Sequence, residues 1–200
     1  MARLTVLLAG VLLCTGCAHA EGDDRDIVMF HQWLPGHRGE VAAFEAYLVK
    51  QQLADVVPIY QLLRSASFWR ECKAEPFEVP PASQWAQAGE VLLLLKELRA
   101  IGVLGPFSVV SAYRDEELNR CSGGSKRSSH MRFAVDILPL GPTDDQKLCE
   151  FWRDQGSRWE MGLSRYPSGR IHLDRTGWRT WGADYTLRSS FCTQLAQKRP

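Results

Sequence analysis

The sequence predicts an α+β fold, with helices gathered in its first half and short strands in its second. Two observations carry this: apolar residues recur at helical spacing from Glu40 to Ala100, and after Gly102 the pattern changes to short β-branched runs. The third is size: 200 residues, 45% hydrophobic and 24% charged, suffice for one core and show no internal repeat, low-complexity tract or coiled-coil pattern.

The opening "MARLTVLLAGVLLCTGCAHAEGDD" has one basic residue, a short apolar run and then small residues, the pattern of a secretory signal over residues 1–16. Two processing sites compete. "CTGC" resembles a bacterial lipoprotein box that would acylate Cys17, the favoured reading, and "AHA" fits ordinary cleavage after Ala20. The chain is therefore expected to be exported, periplasmic, and lipid-anchored to the outer membrane if Cys17 is acylated. Residues 21–39 are polar, carry Pro35, Gly36 and Gly39, and read as a tether; His31 and His37 lie in it as surface residues. Residues 40–200 read as a single domain, with a helical elaboration over 40–104 and a core over 105–185.

In that elaboration "EVAAFEAYLVKQQL" places Val41, Phe44 and Leu48 on one helical face, and "PIYQLLRSASFW" gives a second short helix opened by Pro58. The Pro-rich "AEPFEVPPASQW" is extended and ends at Ser83, an N-cap for "QWAQAGEVLLLLKELRA", whose core face is Val91, Leu94, Leu95 and Leu98. The strands are "FSVVS" (107–111), "FAVDIL" (133–138) and "RIHLD" (170–174). A helix over "TDDQKLCEFWRDQG" lies between the last two, with Thr143 and Gln146 as a capping box and Gly156 as its stop.

Charge and cysteine content narrow the function. Loss of the signal removes Arg3 and leaves 23 residues of each sign, a balance that excludes a nucleic-acid partner, because phosphate affinity needs clustered Lys and Arg. Cys72, Cys121, Cys149 and Cys192 are an even set for an oxidising compartment and can form two disulfides, in any of three pairings.

Strand alternation supplies the chemistry. Asp136 points away from Val135 and Ile137, and His172 and Asp174 point away from Ile171 and Leu173. If the two strands are neighbours and His130 folds over from the preceding loop, two imidazoles and a carboxylate converge. That donor set suits zinc with a fourth position open.

The flanking residues extend the pattern. "VVSAYRDEELNRCSGGSKRSSHMRFAVDI" and "RYPSGRIHLDRTGWRTWG" resemble the two signature blocks of the zinc D-alanyl-D-alanine carboxypeptidase family, over roughly residues 107–182. The resemblance implies the hedgehog/DD-peptidase fold, an antiparallel sheet with flanking helices, here with an N-terminal helical extension. It implies His130, Asp136 and His172 as ligands of Zn2+, Arg114 as the holder of the substrate carboxylate, and Ser128 in a supporting substrate-site role. By the same resemblance the substrate is a peptidoglycan stem peptide, cut as a carboxypeptidase or as a cross-link endopeptidase, with zinc-bound water as the attacking group. The alternative is a non-catalytic envelope domain that binds peptidoglycan or a partner and carries a degenerate metal site.

Two departures bear on that choice. His130 and Asp136 are six apart where the family usually has seven, with "MRF" replacing a Gly-containing turn. Gly169 occupies the place where many relatives carry a Glu three residues before the last His. Asp174 is then the expected general base or orienting partner, Tyr166 the stabiliser of the developing oxyanion, and Glu160 a weaker candidate.

Overall fold

A computed structural model describes residues 15–197, with side chains from residue 24 onward. The expected signal segment, except for its last two residues, and the side chain of Cys17 lie outside the described residues.

Five strands form one sheet: β1 (Phe107–Ser111), β2 (Ala134–Pro139), β3 (Gly162–Arg165), β4 (Ile171–Asp174) and β5 (Arg179–Trp181), in the order β1-β2-β4-β3-β5. The first four pair antiparallel, whereas β5 runs parallel to β3 at the edge, so the sheet is mixed rather than wholly antiparallel. The three strands read from the sequence are present within one residue of their expected ends. "GLSR" and "RTW" are too short to show alternation and are held by their neighbours instead.

Register gives the sheet two distinct faces. Val109 pairs with Ile137 and Ile137 with Ile171, while Val135 pairs with Leu173 and Leu173 with Leu163. All six are fully buried. Above them lies α4 (Trp85–Ala100), whose Val91, Leu94, Leu95 and Leu98 are buried as the helical period requires. α2 (Arg38–Lys50) buries Val41, Phe44 and Leu48 in the same cluster. The opposite face of the sheet carries the polar residues.

The segment expected as a tether is structured. α1 (Thr15–Trp33) and a 3-10 turn (Leu34–Gly36) occupy most of residues 21–39. Phe30 is 6% exposed and meets the Phe77 ring edge-on at 5.2 Å, and Asp26 pairs with Arg64 at 2.8 Å. Apolar residues here are too sparse to give a helical period, so tertiary contacts rather than local pattern hold the helix.

Those contacts also close the edge of the sheet. α3 (Ile59–Leu62) stops after about one turn, because the chain beyond it pairs with residues 76–78 and runs along β1. Ala112 N–H donates to Arg64 O at 2.7 Å, Ser111 Oγ–H to Ser65 O at 2.5 Å, and Arg64 Nη1 to Ser108 Oγ at 2.8 Å. Covering β1 in this way satisfies an otherwise open strand edge.

Caps differ from the sequence reading in two places. A 3-10 turn (Ala82–Gln84), not a Ser83 side-chain cap, precedes α4. α6 (Asp145–Gln155) is capped by Asp144, whose Oδ1 accepts from Lys147 N–H at 3.0 Å, because the acceptor sits one residue after Thr143. Disulfides join Cys72 to Cys121, at the end of α5 (Glu116–Cys121), and Cys149 to Cys192, in α7 (Phe191–Gln197).

The short loop before β2 is a 3-10 turn (Ser129–Arg132) followed by Phe133 at φ +87°, a left-handed conformation that only glycine adopts freely. The Phe133 ring is fully buried, and its packing holds that backbone. Phe133→Ala and Phe133→Gly should each lose about 3 kcal/mol with the ring. The Gly variant should be the more stable of the two by about 1 kcal/mol, in denaturant titrations with the disulfides intact, reversing the usual order. A more stable Ala variant would show that the conformation stores no strain.

Candidate metal centre

On the polar face one row crosses four strands in register: Ser111 opposite Asp136, Asp136 opposite His172, and His172 opposite Ser164. Asp136 and His172 are therefore direct cross-strand neighbours, with Nδ1 of His172 2.9 Å from Oδ1 of Asp136. His130 arrives from the 3-10 turn. Ser128 Oγ caps that turn by accepting His130 N–H at 3.3 Å, and Arg114 N–H donates to His130 O at 3.2 Å. Despite the short loop, His130, Asp136 and His172 are all buried and offer three ligand atoms within 4.8 Å of one another.

The tautomer of His130 is fixed by its surroundings. Nδ1 lies 2.6 Å from Ala112 O, a pure acceptor, so Nδ1 carries the proton and Nε2 presents its lone pair. Burial and the nearby Arg114 hold the imidazole neutral despite Asp136, keeping its pKa below the ordinary value. Nε2 is buried without a hydrogen-bond partner, 3.3 Å from Oδ1 of Asp136. Two lone pairs facing each other in a buried space is an unfavourable arrangement that a cation between them resolves. With His172 Nδ1 as third donor, the set of two nitrogens and one anionic oxygen fits a divalent metal.

Asp174 stands behind this cluster. It is 0% exposed and does not line the cavity; Oδ2 lies 2.9 Å from His172 Nε2, and the carboxylate also accepts from Thr176 N–H, Thr176 Oγ and both terminal nitrogens of Arg179. A carboxylate so enclosed cannot reach a substrate, which corrects its reading as a general base and leaves it as the group that orients His172. Burial lowers the His172 pKa, but Asp136 and Asp174 outweigh it and push it up to about 9. The reverse partnership takes Asp174 far below the usual carboxylate range against the effect of burial.

The polar face opens into a cavity of about 600 Å³ that Arg114, Ser128 and Tyr166 also line. Arg114 does not offer the free fork that substrate binding would need. Its Nε and Nη2 donate to Ser111 Oγ at 3.0 and 2.7 Å, and Nη2 to Asp136 Oδ2 at 3.1 Å, so it holds Asp136 in place, and among the described residues only its Nη1 lacks a partner. Tyr166 is at the cavity wall, and burial followed by the Asp136 charge keeps its hydroxyl protonated, a hydrogen-bond donor. Gly169 adopts φ +84° in the β3–β4 turn, a conformation that disfavours a Glu side chain there, and Glu160 is exposed away from the cavity.

Sequence reasoning missed three contributors. Ser129 Oγ touches His172 Nε2 at 3.0 Å, Arg179 anchors Asp174, and Trp181 packs edge-on to His172 with centroids 5.2 Å apart. Ser129 and Trp181 lie in the two signature-like blocks, whereas nothing in the local pattern singles out Arg179. Gly162 pairs with both Asp174 and Arg179, and a Cβ at Gly162 would overlap the Asp174 carboxylate.

Two outcomes follow. Gly162→Ala should displace Asp174 from His172 and weaken zinc binding by about tenfold or more, read by competition with a chelating dye; unchanged affinity would separate Asp174 from the site. Because a metal must displace the proton that His172 holds up to about pH 9, zinc affinity should climb about tenfold per pH unit below that and level off above it. A flat pH profile would mean that His172 is neutral in the metal-free protein.

Residues 65–174, more than half of the chain, match the family profile described as Peptidase M15. No curated protein and no solved structure gives a significant match. The matched span contains His130, Asp136, His172 and Asp174 and leaves out α1 to α3 and β5. The chain belongs to the Peptidase M15 family.

Proposed function

We propose that this protein is a zinc metallopeptidase of the bacterial cell envelope that acts on peptidoglycan stem peptides, as a D-Ala-D-Ala carboxypeptidase or a cross-link endopeptidase. One observation carries the metal reading: the buried, unprotonated Nε2 of His130 facing Asp136 Oδ1, with His172 alongside. Family membership supports the reaction class. The leader-like N-terminus and the two disulfides support export to an oxidising compartment, periplasmic and lipid-anchored if Cys17 is acylated. Among the described residues no helix is long and apolar enough to cross a membrane.

His130 Nε2, Asp136 Oδ1 and His172 Nδ1 would hold the zinc, and a three-donor set leaves a position for water or substrate. Bound there, zinc polarises a carbonyl and lowers the pKa of water to about 7. Ala112 O and Asp174 fix the two imidazoles, and Arg114 fixes the carboxylate. Tyr166 donates a hydrogen bond to oxygen charge that develops in the cavity.

A second reading, a non-catalytic domain that binds peptidoglycan, is favoured by one specific feature. Asp136 is the sole carboxylate lining the cavity among the described residues, so no separate acid is in place to take and return a proton.

Elemental analysis of the purified chain, followed by D-alanine release from a pentapeptide ending in D-Ala-D-Ala and by digestion of cross-linked muropeptides, decides between them. The peptidase reading expects about one zinc per chain and turnover on one of the two substrates, both lost in His130→Ala and His172→Ala. Zinc without turnover on either substrate supports the binding domain. A wild-type chain that takes up no zinc overturns the metal centre.

A further inference from the structure

We propose that Arg170 is the specificity-determining residue of the cavity, binding a carboxylate of the substrate. Four arginines line this space, Arg114, Arg127, Arg170 and Arg179, against the single carboxylate of Asp136. The chain as a whole is near neutral, so this excess of positive charge is local and points to an anionic ligand.

The four are not equivalent. Arg114 is engaged by Ser111 and Asp136, and both terminal nitrogens of Arg179 are held by Asp174. Arg127 is exposed on the Gly-rich loop, and among the described residues no hydrogen bond or ion pair fixes its side chain. Arg170 is half-buried, and its Nη1 donates to Ser67 Oγ at 2.7 Å. Its Nε and Nη2 make no hydrogen bond or ion pair among the described residues. Those two nitrogens form the side of the guanidinium that accepts a carboxylate through two parallel bonds.

Position reinforces the assignment. Arg170 is the last residue before β4, two positions ahead of His172, and both side chains line the cavity. Ser67 belongs to the segment that follows α3 and lines the same cavity, so the helical elaboration supplies the anchor that orients Arg170 before substrate arrives.

The inference rests on reading the cavity as a peptide site, and its test does not need turnover. The probe is diacetyl-L-Lys-D-Ala-D-Ala, titrated calorimetrically into the full-length chain beside its C-terminal amide. Metal is removed by chelation so that neither hydrolysis nor a metal–carboxylate bond contributes. The wild-type chain should bind the acid about tenfold or more tightly than the amide. Arg170→Gln should bring the two within about twofold, Arg170→Lys should keep part of the preference, and Ser67→Ala should lower it a few-fold. Arg127→Gln should leave the preference in place, and unfolding curves should show Arg170→Gln to be as stable as wild type, since its side chain makes one exposed hydrogen bond.

An acid preference that survives in Arg170→Gln, or that Arg127→Gln abolishes instead, overturns the assignment. So does a wild-type chain that binds the two peptides equally or binds neither. If zinc uptake or turnover fails while the acid preference holds and depends on Arg170, the peptidase reading falls and the carboxylate site stands.

Discussion

The Asp136 carboxylate is the group on which the rest of the site depends. It is 4% exposed, and an isolated charge at that depth would cost several kcal/mol. Burial acts to raise its pKa, but the His172 imidazolium hydrogen-bonded to it, with Arg114 beside it, keeps it ionised and well below the usual range. Its three neighbours reach it by different routes: His172 by cross-strand register, His130 by a capped 3-10 turn, Arg114 by the chain leaving β1. The fold therefore has little freedom to move one of them alone.

Behind that first layer a second row crosses the sheet. Ala134, Asp174, Gly162 and Arg179 lie opposite one another on β2, β4, β3 and β5. Because Gly162 has no side chain, Asp174 and Arg179 meet over it, and the resulting ion pair keeps Asp174 charged to orient His172. This explains why β5, a three-residue edge strand, matters to the centre: it delivers the counter-charge. On the opposite edge Arg64 and the chain after α3 seal β1, so both borders of the sheet serve the same few side chains.

What the sequence made legible follows from these distances. Period-two alternation in "FAVDIL" and "RIHLD" marks Asp136 and His172 as facing one side, and the helical period marks Val91 to Leu98 as core, because these signals are local. The helix over residues 15–33 was not legible, since its hold on the core comes from Asp26, Phe30 and Trp33 meeting residues 64–77. The same is true of Arg179 and Ser129, whose partners lie five and 43 positions away in the chain. The roles assigned to Arg114 and Asp174 differ for another reason: sequence tells that a charge is present, but not whether its hydrogen-bonding capacity is already used.

The β3–β4 turn brings the two halves of the functional argument together. Tyr166 and Arg170 close it through backbone hydrogen bonding, and the closure needs the left-handed conformation of Gly169. A turn of this shape carries no acid at that position, and it sets Arg170 at the cavity wall beside Tyr166. The cavity is thereby short of carboxylates and rich in guanidinium groups, an electrostatic environment suited to an anionic ligand. It also stabilises negative charge on a reacting oxygen more readily than it removes a proton from water. A metallopeptidase of this composition would lean on a bound metal for acidity and on Arg170 for placement.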